Sequence, residues 1–258
     1  MSAPVFVCDA VTDAGVGDAV VLTGQEARHA ATVQRREAGE RIDLVDGRGR
    51  RAVGRILTVI DGELEVVVEA LERDDDPVVV LVQALAKGGR DEQAVESATE
   101  LGVTRLVPWA AERSIVQWRG PKADKGRTAW HTLAVAATKQ SRRALVPTVD
   151  SLVTTRQLEL LVADALGNGA RVLVLHEVAE TALASLAWPD PRQPTWIVVG
   201  PEGGITDREI GALRAAGGEP VLLGPHVLRA SSAGPAAIAA LAALRGTWSA
   251  APAPGAIR

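Results

Sequence analysis

The 258-residue chain has no tyrosine, one phenylalanine, one methionine and one cysteine, Cys8. A single cysteine excludes an internal disulfide framework and fits the reducing cytoplasm. Four scattered histidines add no metal-ligand spacing, so no metal is expected. No apolar run approaches the roughly 18 residues of a membrane span. The opening MSAPVFVCDAVTD has no basic region ahead of an apolar one, so no secretory signal is read there. Aromatic residues are 3% of a chain that is 47% hydrophobic, and the core is therefore expected to be mainly aliphatic. Lysine is scarce too: of 28 basic residues, 24 are arginine.

A net charge of −4 excludes a protein coated in positive charge. The average nevertheless hides two basic stretches. Between Arg113 and Arg143 stand Arg119, Lys122, Lys125, Arg127, Lys139 and Arg142 against Asp124 alone. Between Arg28 and Arg55 stand Arg35, Arg36, Arg41, Arg48, Arg50 and Arg51, faced by Glu37, Glu40, Asp43 and Asp46. Either stretch alone is as easily an ordinary arginine-rich surface as a binding site. Together they point to an anionic partner, RNA or DNA, steered by local charge.

The first seventy-odd residues read as β-rich. AVVLTG, RIDLVDG, RAVGRILTVI and LEVVVEAL are short runs with partial period-2 alternation, divided by turn signals such as Asp46-Gly47 and Asp61-Gly62. One helix over about 24–36 interrupts them, and the spacing suggests a small barrel or sandwich. RDDDP, at 73–77, is a charged run ending in proline and marks a domain boundary. Three segments follow from this: a β domain over 1–73, a second domain over 74–248, and a flexible Pro- and Ala-rich tail over 249–258. In the second domain VVVLVQAL, VTRLVPW, RVLVLHE, TWIVVG and EPVLLG are nearly unbroken apolar runs, typical of strands buried on both faces. Helical segments alternate with them, including a long one over about 122–143. That rhythm predicts an α/β domain with a mainly parallel sheet.

The stretch VVGPEGGITDREI, residues 198–210, places Gly-Pro-Glu-Gly-Gly at the carboxyl end of a strand. Thr206 and Glu209 have capping-box spacing, which starts the next helix at Thr206. In open α/β sheets ligands bind outside the carboxyl ends of strands, and glycines let backbone N–H groups approach them. LLGPHVLR, 222–229, repeats the pattern after the next apolar run. One such loop is as easily structural as functional; the pair favours a ligand site. Neither loop is G-x-G-x-x-G or a phosphate-cradling G-x-x-x-x-G-K-[ST], and no nucleophile elbow occurs. A small cofactor held largely by backbone groups remains.

With GPEGG after one strand, LLGP.VLR after the next and a small-residue helix beyond, the chain resembles the SPOUT class of S-adenosylmethionine-dependent RNA methyltransferases. Within that class it is most similar to the RsmE family, which methylates N3 of a uridine in 16S ribosomal RNA of the small ribosomal subunit. HAATVQRREAGERIDLVDGRG (29–49), LVQALAKGGRDEQAVESATELGV (81–103) and ATKQSRRALVP (137–147) extend the likeness over about 4–246. The resemblance implies a PUA-like β-barrel, then a SPOUT α/β domain with a trefoil knot and a mainly parallel sheet, acting as a homodimer. Patterning alone argues against a knot, since threaded connections are rare.

Transferred onto these positions, the resemblance implies that Gly200, Pro201, Gly203, Gly204, Leu223, Gly224, Val227, Leu228 and Ala233 surround the cofactor, with His176 at the rim. Arg229 is the leading catalytic candidate, a permanent cation that stabilises charge on the uracil oxygens; the plain alternative is a salt bridge beside a helix. Glu202 is a candidate for cofactor binding or for influencing the uridine proton, and equally for capping backbone N–H groups. His29, Arg35, Arg36, Lys87, Arg90, Arg113, Arg142 and Arg143 are assigned to RNA. Two departures stand out. Ser231 occupies a place where the family commonly has Glu, and His226 one where it often has Arg. With Arg229 and its small neighbours retained, the Glu is read as supporting, and serines are expected to cap the last helix. A SPOUT enzyme with a tRNA or ribose 2′-hydroxyl target, or a non-catalytic assembly factor, remain as alternatives.

Overall fold

The computed structural model describes residues 3–249. The chain forms two compact units. One takes the residues up to Asp75 together with Ala136–Val146; the other takes Asp76–Val135 and the described residues from Pro147 onward. A boundary placed near 73 does not anticipate the return of Ala136–Val146 to the first unit. Of the expected tail, 250–258 lie outside the described residues.

The first unit is a five-stranded sheet in the order β1-β3-β4-β5-β2. Its strands are β1 (Val5–Val7), β2 (Ala19–Leu22), β3 (Arg41–Val45), β4 (Arg50–Ile60) and β5 (Glu63–Arg73). β1 runs parallel to β3, and the other pairs are antiparallel. β4 shifts register at Val53/Gly54, where a Cβ on Gly54 would lie 2.6 Å from both Val66 Cγ1 and the Val67 carbonyl. The bulge needs glycine there. Phe6, Leu22, Ile42, Leu44, Ile56, Leu64 and Val66 fill the core. The helix expected over about 24–36 is shorter: α1 (Gly24–Arg28) passes into a π-helical turn, His29–Val33, and Arg35 is left-handed at φ 53°.

The arginines of this unit are less free than their sequence density suggests. Arg51 is buried against Asp43, Glu72 and Asp74. Arg55 pairs with Glu69 at 3.0 Å. Arg51 also donates to the carbonyl of Arg142, which is left-handed at φ 58°. Burial raises the Glu72 carboxyl above its ordinary range, against the lowering pull of Arg51.

The second unit is a seven-stranded sheet ordered β12-β10-β11-β6-β7-β8, with β9 also on β7 and every pairing parallel. The strands are β6 (Val79–Ala84), β7 (Arg105–Ala110), β8 (Thr148–Val149), β9 (Val153–Thr154), β10 (Arg171–Leu175), β11 (Thr195–Val199) and β12 (Glu219–Val221). The helices are α2 (Arg90–Glu100), α3 (Pro121–Ser141, of which the residues up to Val135 belong to this unit), α4 (Thr155–Gly167), α5 (Asp207–Ala215) and α6 (Ala230–Leu244).

Period-2 geometry sends alternate strand residues to opposite faces. Leu81, Leu106, Leu173 and Ile197 meet Val95 of α2, Trp130 of α3 and Ile238 and Leu241 of α6. Val82, Val107, Val172 and Val198 meet Leu158 and Val162 of α4 and Leu213 of α5. Covering both faces is why these strands read as unbroken apolar runs. Each such fully buried aliphatic side chain contributes roughly 1.5–3 kcal/mol relative to exposure. No helix among the described residues is long and apolar enough to cross a membrane.

Candidate active site

β11 lies between β10 and β6, so the turns after five strands open on the same edge of the sheet. There the second unit has a cavity of about 580 Å³. Its walls come from the ends of β10 (Leu175, His176) and β11 (Val199, Gly200), the turn 201–205, the segment 222–230 after β12, and Ala233 of α6. Arg90, after β6, and Arg113, after β7, complete it. The lining combines four glycines and two prolines with aliphatic side chains and a few charged ones, at the strand ends where ligands sit in open α/β sheets.

The Gly-Pro-Glu-Gly-Gly turn is held at several points. Thr206 caps α5 by accepting from the Glu209 N–H at 3.2 Å, and Glu209 reaches back to the Thr206 N–H at 3.1 Å, a complete capping box. Glu209 is 1% exposed and also accepts from the Glu112 N–H at 2.9 Å and the Thr155 hydroxyl at 2.8 Å. It thus ties the starts of α4 and α5 to the turn after β7. Gly203 packs so closely on Arg113 that a Cβ there would lie 2.9 Å from Arg113 Cβ. Gly204 is left-handed at φ 76°. A Cβ on Gly200 would lie 2.6 Å from Ile205 Cγ1.

Glu202 is engaged. Its Oε1 accepts from Arg90 Nη1 at 2.8 Å and from the Lys87 N–H at 3.1 Å. Desolvation would raise its pKa, but hydrogen bonds from its own N–H, Arg90 and Lys87 outweigh that and leave it below the ordinary glutamate range. A carboxylate so stabilised is a weak proton acceptor, which argues against Glu202 as a general base. Arg229 differs. It is the N-cap of α6, its carbonyl accepting from the Ser232 and Ala233 N–H groups. Its side chain is exposed on the cavity wall and has no hydrogen-bond or ion-pair partner among the described residues. The expected serine cap is therefore absent: Ser231 lies one position inside the helix after Ala230, buried, and no side chain caps the N-terminus of α6.

Every position assigned to the cofactor lines this cavity, as do Arg229, Arg90 and Arg113. Lys87 is exposed in the turn after β6 and gives its N–H to Glu202. The remaining RNA candidates belong to the first unit. His29 is half-buried against Phe6, Arg35 is exposed, and Arg36 pairs with Glu40 at 3.6 Å. Arg142 and Arg143 do not end the helix, since α3 stops at Ser141. Arg143 is 8% exposed, and that burial rules against a surface phosphate contact.

The described geometry meets its counterpart in known proteins. The chain matches the RNA methyltransferase domain family over residues 74–242 and the RNA methyltransferase PUA domain family over 22–69. It is 39% identical over 254 residues to the ribosomal RNA small subunit methyltransferase E of Mycobacterium bovis, covering 97% of this chain and 95% of that protein. The chain belongs to the ribosomal RNA small subunit methyltransferase E family. A family member from Neisseria gonorrhoeae, solved bound to S-adenosyl methionine, superposes with a TM-score of 0.82 at 28% identity, over 94% of this chain and 98% of that one. A methyltransferase from Legionella pneumophila, solved with the cofactor SAM, gives 0.80 at 25% identity, over 94% and 98%. The fold is that of the SPOUT methyltransferases with a PUA-like domain ahead of it, as the family resemblance implies.

Sequence reasoning missed Glu209 as more than a helix start, and with it Glu112, Thr155 and Ile205. The capping-box spacing was the available signal for Glu209. Nothing local indicated that its carboxylate gathers donors from residues 54 and 97 positions away.

Proposed function

We propose that this protein transfers a methyl group from S-adenosylmethionine to N3 of a uridine in 16S ribosomal RNA of the small subunit. One observation carries the reading: the two Gly-Pro turns predicted after β11 and β12 face one cavity, and Arg229 stands on its wall as a cation unpaired among the described residues. At about 580 Å³ the cavity falls within the 300–1,000 Å³ typical of small-molecule and cofactor sites. Glycine and backbone groups of 200–204 and 222–224 would hold the adenosine of the cofactor. Leu223, Val227 and Leu228 supply apolar contact, and His176 lies at the end of β10.

When bound, S-adenosylmethionine supplies a methyl group on a sulfonium centre. The residues of this chain have the remaining tasks. Uridine N3 carries a proton, and its lone pair becomes nucleophilic as that proton leaves, which places negative charge on the flanking carbonyl oxygens. Arg229, permanently charged, stabilises that charge where it develops. The N-terminus of α6, uncapped by any side chain, adds a favourable dipole on the same wall. Glu202 positions the turn rather than taking the proton, which passes to solvent at the exposed side of the cavity where Val227, Leu228 and Arg229 lie. The target base leaves its stack to reach the cavity, and Lys87, Arg90 and Arg113 furnish positive charge at the mouth.

Family likeness extends the proposal to a trefoil knot in the α/β unit, a homodimer and a cytoplasmic, ribosome-associated setting. The direct test is incubation with methyl-labelled S-adenosylmethionine, small ribosomal subunits and total tRNA from a strain lacking the enzyme. Label in the small-subunit RNA is expected. Label confined to tRNA would move the substrate elsewhere, and none at all would leave an assembly factor.

A further inference from the structure

Arg90 opens α2 in the turn after β6, 112 residues from the carboxylate it holds. The pair is unequally exposed: the Glu202 side chain keeps 19% of its surface, that of Arg90 33%. Among the described residues the Arg90 side chain makes no other hydrogen bond, so most of its planar set of N–H donors is unspent. The adjoining Lys87, Gly88 and Gly89 are exposed and both glycines are left-handed, giving an open turn that carries Lys87 and Arg90, with the exposed Glu92 carboxylate on the Gly89 side. The neighbouring Asp91 does not compete for Arg90, since its carboxylate accepts from the Ala86 and Glu92 N–H groups.

One guanidinium therefore lies between the turn that walls the cavity and an open surface suited to an anion. We propose that Arg90 is a positioning residue linking the RNA substrate to the cofactor turn. One of its N–H groups holds Glu202 while its unspent donors take a phosphate of the RNA, so that RNA and cofactor tighten each other's binding. The proposal rests on S-adenosylmethionine and RNA being the two ligands.

The physical basis is cooperative ordering. A half-exposed ion pair is screened by water and held weakly. A phosphate on the outer donors excludes some of that water and fixes the guanidinium, which sharpens its hold on Glu202 and the turn 201–204. By linkage the effect is reciprocal. Lysine cannot substitute, because its ammonium is a compact point charge without a planar fork to span carboxylate and phosphate. Arg113 holds the same turn differently, through the Gly203 carbonyl, and supplies the part of its order that does not depend on RNA.

The test is equilibrium binding of labelled S-adenosylhomocysteine to the full-length protein, with and without saturating small-subunit ribosomal RNA. For the unaltered protein RNA is expected to tighten binding about fivefold or more, the lower end of ordinary allosteric coupling. Arg90→Lys and Glu202→Ala should each bring the ratio of the two affinities close to unity while keeping a cooperative melting transition. A ratio near unity in the unaltered protein overturns the proposal, as does an undiminished ratio in folded Arg90→Lys. Failure of the unaltered protein to bind S-adenosylhomocysteine at all would instead fell the cofactor reading beneath it.

Discussion

Arg113 donates a hydrogen bond of 3.0 Å from Nη1 to the carbonyl oxygen of Gly203, with its own Cβ packed where a Gly203 Cβ would have to go. The backbone of the Gly-Pro-Glu-Gly-Gly turn thus rests directly on the segment after β7. Gly203→Val drives side-chain atoms into Arg113 and its carbonyl, so the turn must move. S-Adenosylmethionine affinity is expected to fall by at least about tenfold, or 1.4 kcal/mol. Calorimetry giving normal affinity for a folded Gly203→Val protein would remove this turn from the cofactor wall.

Arg229 stands on the cavity wall with no ion-pair partner among the described residues. Arg229→Ala is expected to lower kcat by about 10²–10³, the usual cost of removing one stabilising donor. Cofactor affinity should stay within a few fold. Unchanged turnover would deny the residue a role in charge stabilisation.

Glu209 gathers the Thr206 N–H and hydroxyl, the Glu112 N–H and the Thr155 hydroxyl around one buried carboxylate. Glu209→Ala leaves those donors without their acceptor, at roughly 1–3 kcal/mol for each that stays buried. A loss of at least about 2 kcal/mol is expected in denaturant unfolding. A variant as stable as the parent would mean that water replaces the carboxylate freely.

Glu202 gives a pH dependence of known sign. Its folded pKa lies below the ordinary glutamate value of 4.5. A carboxyl depressed by folding contributes stability that is present above its unfolded pKa and lost as pH falls through the folded one. The melting-temperature advantage over Glu202→Gln should therefore hold at neutral pH and shrink below about 4.5. A difference independent of pH would show that the ionised form is not favoured.

Most of the second unit could be read from the chain. Unbroken runs such as VVVLVQAL follow from burial on both faces, and the two Gly-Pro turns marked the strand ends that form the cavity. What escaped depended on distant partners. Arg51 reads as one of a basic cluster, yet Asp43 of the same stretch and Glu72 and Asp74 from beyond it surround its guanidinium. Arg143 reads as a helix-end cation, yet the helix stops at Ser141 and the side chain is buried. Local composition gives charge and cannot say which charges are already matched. Glu202 shows the same limit: its place in the loop was plain, while its bond to Arg90 required the turn after β6 to be adjacent.

The central claim is chemical, and nucleoside analysis tests it most directly. Small-subunit ribosomal RNA from a strain lacking the enzyme is treated with the protein and methyl-labelled S-adenosylmethionine, digested to nucleosides and separated with mass detection. The account predicts a single labelled product, 3-methyluridine, at a position where reverse transcription also arrests because the pairing face is blocked. A label found on a ribose 2′-hydroxyl, or on any base other than uridine, would contradict it.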